Sequence, residues 1–331
     1  MNAKNLNISI AIATHNGQTY LEEQFQSLFT QTRKPDNVVV YDDASSDNTL
    51  AVLKELQAQA PFALDINYGM SNLRVNGAFS MALRKCEGDI VFFCDQDDIW
   101  EIDKIERFME VFENKPEVGM VFSDASQIDG RGSPLGASLW ESVGFTNRRQ
   151  AHFSHNGLCE MLRSGNFIYG MASAFRTQRI RHFCPVLADP QGMTHDTWFA
   201  LHTLATGWGS VLLKDQLVRY RRHDDQATKK GRPGRTANTE DRREIRRSQV
   251  IALIDSLGLV RSGVAGALDV GSEDIRSKSL KQLDDKLLHL LLRENLRAER
   301  SPQLAFQAIM SSGYWKYAKG AGSVLCDFYG F

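Results

Sequence analysis

Asp95-Gln96-Asp97-Asp98 follows directly on the apolar run Ile90-Val91-Phe92-Phe93-Cys94, and Asp42-Asp43 follows Val38-Val39-Val40-Tyr41. Buried strands do not end in carboxylate clusters for stability, because like charges a few ångströms apart repel unless something positive compensates them. A divalent cation does so well: Mg²⁺ takes one or two carboxylates and completes its shell with water and substrate phosphate. Asp95 and Asp97 can reach one ion directly or through water. An isolated D-x-D is ordinarily a solvated loop with helix-capping aspartates. Behind a buried strand, beside a second Asp pair, the ligand reading gains weight. Asp42-Asp43 could share that ion, or accept hydrogen bonds from a base N–H or a ribose hydroxyl. Helix capping is the plainer role for the pair, but Ser46 or Asp47 is better placed to cap, which leaves Asp43 for a ligand.

The elements that must position these groups follow a β-α-β-α rhythm. Ile8–Ala13 reads as a buried strand running into Thr14-His15-Asn16-Gly17. Thr19 and Glu22 have capping-box spacing ahead of a helical stripe of Leu21, Phe25 and Leu28. Further strands are predicted at Val38–Val40, Leu64–Tyr68, Ile90–Cys94 and Val118–Phe122, the last ending at Ser123-Asp124. Helices lie between them, one carrying Phe79, Ala82 and Leu83, another Ile102, Ile105, Phe108, Met109 and Phe112. Short connections argue for a mostly parallel sheet covered by helices on both faces. Ligands bind such sheets outside the carboxyl ends of the strands, where three of these strands end in aspartate. Residues 125–215 read as less regular, with loops around a cleft. The chain turns helical after 240, with Leu280, Leu283, Leu287 and Leu290/Leu291 at helical spacing.

Composition narrows the function classes. With 331 residues, 42% hydrophobic and 24% charged, the chain is long enough for one large domain or a catalytic domain with an appendage, and is no disordered tail or rod. Its 39 Lys+Arg against 40 Asp+Glu argue against a globally basic nucleic-acid binder. Five scattered cysteines without C-x-x-C argue against a zinc site or redox pair and suit a reduced, cytoplasmic compartment. Residues 1–6 lack the apolar core of a signal peptide, and no apolar run reads as the ~18 residues of a membrane span.

Ile10–Gly17, Val39–Thr49 and Phe92–Trp100 together resemble the three opening motifs of family-2 glycosyltransferases, inverting metal-dependent enzymes of the GT-A fold. Cys94-Asp95-Gln96-Asp97-Asp98-Ile99-Trp100 is similar especially to the rhamnosyltransferase-like branch that builds bacterial surface polysaccharides such as O-antigen. Ala13, His15 and Arg74 depart from the residues usual there (Pro, Tyr and Gly). The resemblance implies a Rossmann-like GT-A catalytic domain over 1–240, with a nucleotide-sugar half at about 1–124 and an acceptor half at about 125–240, and a helical region at 241–331. It implies Mg²⁺ or Mn²⁺ and a nucleotide-sugar donor, a dTDP-sugar favoured and a UDP-sugar next. Thr14, His15 and Asn16 would line the nucleotide pocket, Asp43 would bind the base, and Asp42 would support its loop. Asp95 and Asp97 would face metal and diphosphate, with Asp98 orienting the pair or meeting the donor sugar.

Inverting transfer needs a base for the acceptor hydroxyl. Thr194-His195-Asp196-Thr197-Trp198 resembles the family's base-bearing helix start, with Asp196 as the base; the plainer role for Asp196 is a helix cap. Leu217–His223 resembles the Tyr-Arg-x-His element, in which His223 would reach the metal, and Arg221 and Arg222 the diphosphate. Between 219 and 247, eleven Lys/Arg face five Asp/Glu, and the loop 224–238 could close over the donor. The acceptor side would include Asp124, Asn166, Gly170, His195 and Trp198, with Trp140, Phe167 and Tyr169 able to stack on sugars. The acceptor would be a glycan or a polyprenyl-linked saccharide. The Leu280–Leu291 face could pack on the catalytic domain, pair with a second copy, or lie on the cytoplasmic face of the inner membrane. The aromatic-lysine tail Tyr314–Lys319 suits such a membrane contact. Competing readings are a sugar-nucleotide-forming nucleotidyltransferase, which usually shows a Gly-rich phosphate loop not seen here, a phosphoacceptor module, for which the chain is too long, and an inactive nucleotide-binding scaffold.

Overall fold

Alternation of apolar residues along the strands decides how the sheet is covered. In the computed structural model, which describes residues 6–183, 193–224, 226, 239–267, 272–318 and 321–329, the strands are β1 (Ile8–Thr14), β2 (Asn37–Asp42), β3 (Ala63–Tyr68), β4 (Ile90–Cys94), β5 (Ile99–Trp100), β6 (Val118–Asp129), β7 (Ser173–Arg176) and β8 (Gly209–Arg222). They form one sheet in the order β3-β2-β1-β4-β7-β6-β8-β5. The pairs β1–β2, β2–β3, β1–β4 and β6–β8 are parallel, whereas β7 runs antiparallel to β4 and β6, and β5 to β8. The helices are α1 (Leu21–Phe29), α2 (Thr49–Gln59), α3 (Arg74–Lys85), α4 (Lys104–Asn114), α5 (Leu139–Ser142), α6 (Asn147–Ser164), α7 (Thr177–Ile180), α8 (His195–Ala205), α9 (Thr239–Gly266), α10 (Glu273–Glu299), α11 (Pro302–Met310), α12 (Ser312–Tyr317) and α13 (Ala321–Tyr329).

Odd and even strand positions feed two separate cores. Ile10, Ile12, Val38, Val40, Ile90 and Phe92 pack with Leu21, Phe25, Leu53, Ile105 and Phe108 of α1, α2 and α4. Ala11, Val39, Val91, Phe93, Met120 and Phe122 pack with Phe79 and Leu83 of α3 and with α6 and α8. Each large apolar side chain removed from water contributes about 1.5–3 kcal/mol. β4 is buried along its whole length and paired on both sides by β1 and β7, so the D-x-D loop leaves from the interior of the sheet.

Leu257, Val260 and Val264 of α9 and Leu283 and Leu290 of α10 belong to the same core as Phe93 and Phe199. The helical C-terminal region therefore packs on the sheet domain and shares its core across residue 240. Arg247–Gly266 is long and apolar enough to cross a membrane by length and composition alone, a feature the sequence reading does not find. Of the aromatic tail, Tyr314 and Tyr317 turn into the interior and Trp315 stays exposed; residues 319–320 lie outside the described ones.

Other expectations are corrected. Val118–Phe122 continues to Asp129 through irregularities on either side of Asp124, so Asp124 does not end a strand. Residues 125–215, expected to be irregular, carry α5–α8 and β7. Thr19 and Glu22 form no capping box: α1 starts at Leu21 without a side-chain cap. At α2 neither expected residue is the N-cap: that position falls to Asn48, without a side-chain cap bond, while Asp47, one residue earlier, accepts the Thr49 N–H at 3.0 Å.

His202 of α8 is fully buried between the rings of Phe183 (4.0 Å) and Trp198 (4.5 Å). Burial lowers its pKa to about 4. An unfolded histidine titrates near 6.5, so as pH falls the unfolded chain takes up this proton first. Stability is intact above about pH 6.5 and is lost progressively down to about 4, by about 3 kcal/mol from this residue; His289, also lowered to about 4, adds loss of the same sign. Asp95, raised to about 8, contributes with the opposite sign over the same range, so the His202 contribution reads out as a difference: in thermal melts from pH 7 to 4, His202→Phe should gain Tm relative to wild type as the pH falls.

Candidate active site

The register Thr14↔Asp42 and Ile12↔Cys94 brings the carboxyl ends of β1, β2 and β4 to one edge. Three loops meet there. Asn16 (φ 50°) and Ala44 (φ 57°) adopt left-handed backbone, which lets the first two loops interlock. The Asn16 side-chain oxygen accepts the Ser46 N–H (2.8 Å), and the Asn16 N–H donates to Ser45 Oγ (2.9 Å). Asp42, fully buried, accepts from Ser45 N–H (3.0 Å) and from the hydroxyls of Ser45 (2.5 Å) and Thr14 (3.0 Å). Asp42 thus holds the loop together and occupies the Thr14 hydroxyl in doing so. Asp43 accepts the Leu73 N–H at 2.7 Å. Burial raises its pKa, opposed by the N–H groups of Leu73 and Arg74. His15, half-buried, places Nδ1 2.8 Å from the Asp43 carbonyl and Nε2 3.3 Å from the Asn72 amide. Arg74 has φ 61°, a left-handed backbone that glycine would adopt without strain.

Gln96, between the two motif aspartates, ties the third loop to the first. Its Oε1 accepts the His15 N–H (2.9 Å), and its amide donates to the His15 carbonyl (3.2 Å). A Cβ on Gly17 would lie 2.3 Å from Gln96 Oε1, so glycine is needed for this close approach. Sequence reasoning does not single out Gln96, whose role depends on which backbone it faces.

Asp95 stands at the centre of the charge. Burial first, then the carboxylates of Asp97 and Asp196, push its pKa up to about 8. Asp97 Oδ2 lies 2.7 Å from His223 Nε2. Asp98 is fully buried and accepts the Arg221 N–H at 2.9 Å. Its pKa is raised by burial and then by Asp97 and Asp95. It braces the loop from beneath instead of reaching toward a sugar. Lys104, also fully buried, lies 3.3 Å over the Trp100 ring and is lowered to about 7 by burial, opposed by Cys94, Asp98 and Asp95.

Asp196 opens α8, and donors surround its carboxylate. Oδ1 accepts from Thr197 N–H (2.6 Å) and the Thr194 hydroxyl, and Oδ2 from Gly170 N–H (3.0 Å) and Asn166 Nδ2 (3.4 Å). Gly170 is required because a Cβ there would sit 2.6 Å from His195 Nε2.

The structure brings Asp95, Asp97, Asp98, Asp196 and His223 into one region, with Asn166 and Gly170 behind Asp196. Other candidates sit elsewhere. His195 stacks on Phe79 at 4.0 Å inside the core. The indole of Trp198 donates to the Phe183 carbonyl. Asp124 accepts the N–H groups of Ala125 and Trp140. Trp140 and Phe167 are core residues. Arg221 is buried: its guanidinium donates to the Asp97 carbonyl (2.8 Å), pairs with Glu23 (2.5 Å) and covers Tyr20 at 4.7 Å. It supports the D-x-D loop and does not face a diphosphate. Arg222 is exposed. Of the loop 224–238, residues 225 and 227–238 lie outside the described ones.

The donor set fits a divalent cation. Asp95 and Asp97 lie together with too little positive charge around them, and His223 stands behind Asp97. Among the described residues no three side chains form a ready-made ion cage. An ion held by Asp95 and Asp97 would therefore have to take its remaining positions from water or substrate oxygens.

The sequence profile described as Glycosyl transferase family 2 matches residues 9–175. The chain belongs to glycosyl transferase family 2. It is 34% identical over 109 residues to the dTDP-rhamnosyl transferase RfbG of Shigella flexneri, covering 31% of this chain and 38% of that protein. It is 34% identical over 116 residues to an uncharacterized glycosyltransferase of Nostoc, covering 35% of this chain and 36% of the relative. The chain thus spans well under half of these relatives. The crystal structure of S. aureus TarS 1-349 in complex with UDP has TM-score 0.54 at 14% identity, covering 98% of this chain and 90% of that one. At that identity the likeness is one of fold, and the fold is the family's GT-A arrangement.

Within this family 2 chain, Arg221→Met should cost roughly 1–3 kcal/mol, because it leaves the Asp97 carbonyl without its buried donor, whereas the exposed Glu23 carboxylate is taken up by water. Exposed Arg222→Ala should leave Tm within about 1 °C of wild type. Thermal melts check both.

Proposed function

We propose that the protein is a metal-dependent inverting glycosyltransferase that moves a sugar, best a deoxysugar such as L-rhamnose from a dTDP-sugar, to a saccharide hydroxyl in surface-polysaccharide synthesis. The observation that carries this reading is geometric: His223 Nε2 stands 2.7 Å from Asp97 Oδ2 at the D-x-D loop, and the Asp196 carboxylate at the start of α8 is fixed by the N–H groups of Thr197 and Gly170 within the electrostatic reach of Asp95. The dTDP preference rests on the Cys94–Trp100 motif and on the relative named a dTDP-rhamnosyl transferase. UDP-hexoses are the second choice, favoured by the fold likeness to a UDP complex.

Asp95 and Asp97, with His223, would hold Mg²⁺ or Mn²⁺, which when bound neutralises charge on the diphosphate leaving group. Asp43 and the His15-Asn16 loop would hold the nucleoside. Asp196, fixed by Gly170, Asn166, Thr194 and Thr197, accepts the proton of the acceptor hydroxyl as that oxygen attacks the anomeric carbon from the face opposite the diphosphate. The C–O bond to the diphosphate breaks as the new glycosidic bond forms, so the anomeric centre inverts without a covalent enzyme intermediate. The nucleotidyltransferase alternative predicts pyrophosphate from sugar phosphate and nucleoside triphosphate.

Asp196→Asn should abolish transfer while keeping dTDP affinity in Mn²⁺; near-full turnover in that variant would exclude Asp196 as the base. Asp97→Ala should lose at least tenfold in metal-dependent dTDP affinity, measured by calorimetry with Mn²⁺ and with EDTA. Thermal-shift screening of nucleotide sugars should give the largest shift with a dTDP-deoxysugar, and a larger shift with UDP-hexoses would move the donor assignment to them.

A further inference from the structure

Tyr20 touches both side chains that the end of β8 sends to the D-x-D loop. The Arg221 guanidinium lies 4.7 Å from the centre of its ring, and the His223 imidazole lies 4.9 Å away, tilted by 51°. Arg221 and His223 are two residues apart, the spacing that puts side chains on one side of an extended chain. One turn along α1, Glu23 pairs with the same guanidinium at 2.5 Å. The Tyr20 N–H donates to the Gly17 carbonyl (3.2 Å), and its own carbonyl accepts the Gln24 N–H (3.0 Å). Tyr20 therefore stands, with its backbone fixed on both sides, where the Thr14–Gly17 loop becomes α1.

His223 Nε2 is anchored 2.7 Å from Asp97 Oδ2. One hydrogen bond does not fix an imidazole, which turns about two side-chain torsions; a ring packed against it does. The same ring receives the Arg221 guanidinium on its face, a favourable contact in its own right. Space around the pair is tight. A Cβ on Gly130 would lie 3.2 Å from the Tyr20 hydroxyl oxygen and 3.7 Å from His223 Cβ, so the turn after β6 closes on both residues.

We propose that Tyr20 is a positioning residue for metal-dependent donor binding: its ring holds the His223 imidazole against Asp97, and so ties the loop that follows β1 to the D-x-D loop that follows β4. The role needs the ring and not the hydroxyl. It rests on the donor-site reading above, in which Asp97 and His223 hold the ion.

Calorimetry on the full chain compares dTDP affinity in Mn²⁺ with that in EDTA; their ratio is the metal-dependent gain. Tyr20→Leu should cut the gain about tenfold, the lower end of what residues supporting a metal ligand contribute, with affinity in EDTA within about twofold of wild type. Tyr20→Phe, which keeps the ring, should recover most of the gain. His223→Ala should lose at least as much as Tyr20→Leu, and the double variant no more than His223→Ala alone, because the ring acts through the imidazole. Gly130→Ala leaves both rings present but crowds the hydroxyl; it should cut the gain about threefold, and adding Tyr20→Phe should restore it. A purely structural Tyr20 would lower Tm, or weaken binding in EDTA and Mn²⁺ alike, with the gain unchanged, and that result would overturn the proposal. So would additive losses in the double variant, or a loss in Tyr20→Phe as large as in Tyr20→Leu. Absence of any Mn²⁺ gain in wild type, with dTDP and with UDP, would sink the donor-site reading itself and this proposal with it.

Discussion

Mutual repulsion among carboxylates at one edge of a buried sheet is the constraint around which this molecule is arranged. Asp95, Asp97 and Asp98 leave β4 together, and α8 brings Asp196 into the same field. In a low-dielectric setting such a cluster is unfavourable unless cations or N–H donors surround it. The protein supplies part of that compensation. Lys104 lies buried beneath the loop, the Arg221 backbone N–H meets Asp98, His223 meets Asp97, and four donors meet Asp196. Asp95 is left with the least, and a bound cation would complete the balance.

Much of the surrounding architecture follows from this need. β5 and β8 form a short antiparallel pair at the sheet edge, which carries Arg221 and His223 over to the D-x-D loop. Gln96 and Asn16 lock the first three loops by backbone hydrogen bonds. The strand-end loops of β1, β2 and β4 are therefore positioned by short contacts between consecutive motifs. The surroundings of Asp196 depend on elements far apart in the chain: Asn166 and Gly170 before β7, and the start of α8.

The roles that local pattern could assign were those of residues at strand ends. Asp42, Asp43, Asp95 and Asp97 stand out because an acidic pair after an apolar run works against stability unless a cation or a set of donors meets it. Arg221 shows the limit. The same guanidinium chemistry that suits a diphosphate also suits loop carbonyls and Glu23, and only its burial distinguishes the two. Gln96 carried no signal, since an amide is ordinary in any loop. His195 and Trp198 flank Asp196 in sequence but leave it in space, because successive helical residues point about 100° apart.

By itself the sequence determined that strands alternate with helices, that their carboxyl ends carry acid, and that the chain resembles a metal-dependent sugar transferase. These rest on local periodicity and short motifs, which need no knowledge of distant contacts. Only the tertiary structure decided that Asp196 comes into the electrostatic field of Asp95, that Asp124 lies within a strand, and that residues after 240 share the core. Those outcomes depend on how helices separated by a hundred residues or more pack on one sheet face, which side-chain volume and burial settle and one-dimensional pattern does not.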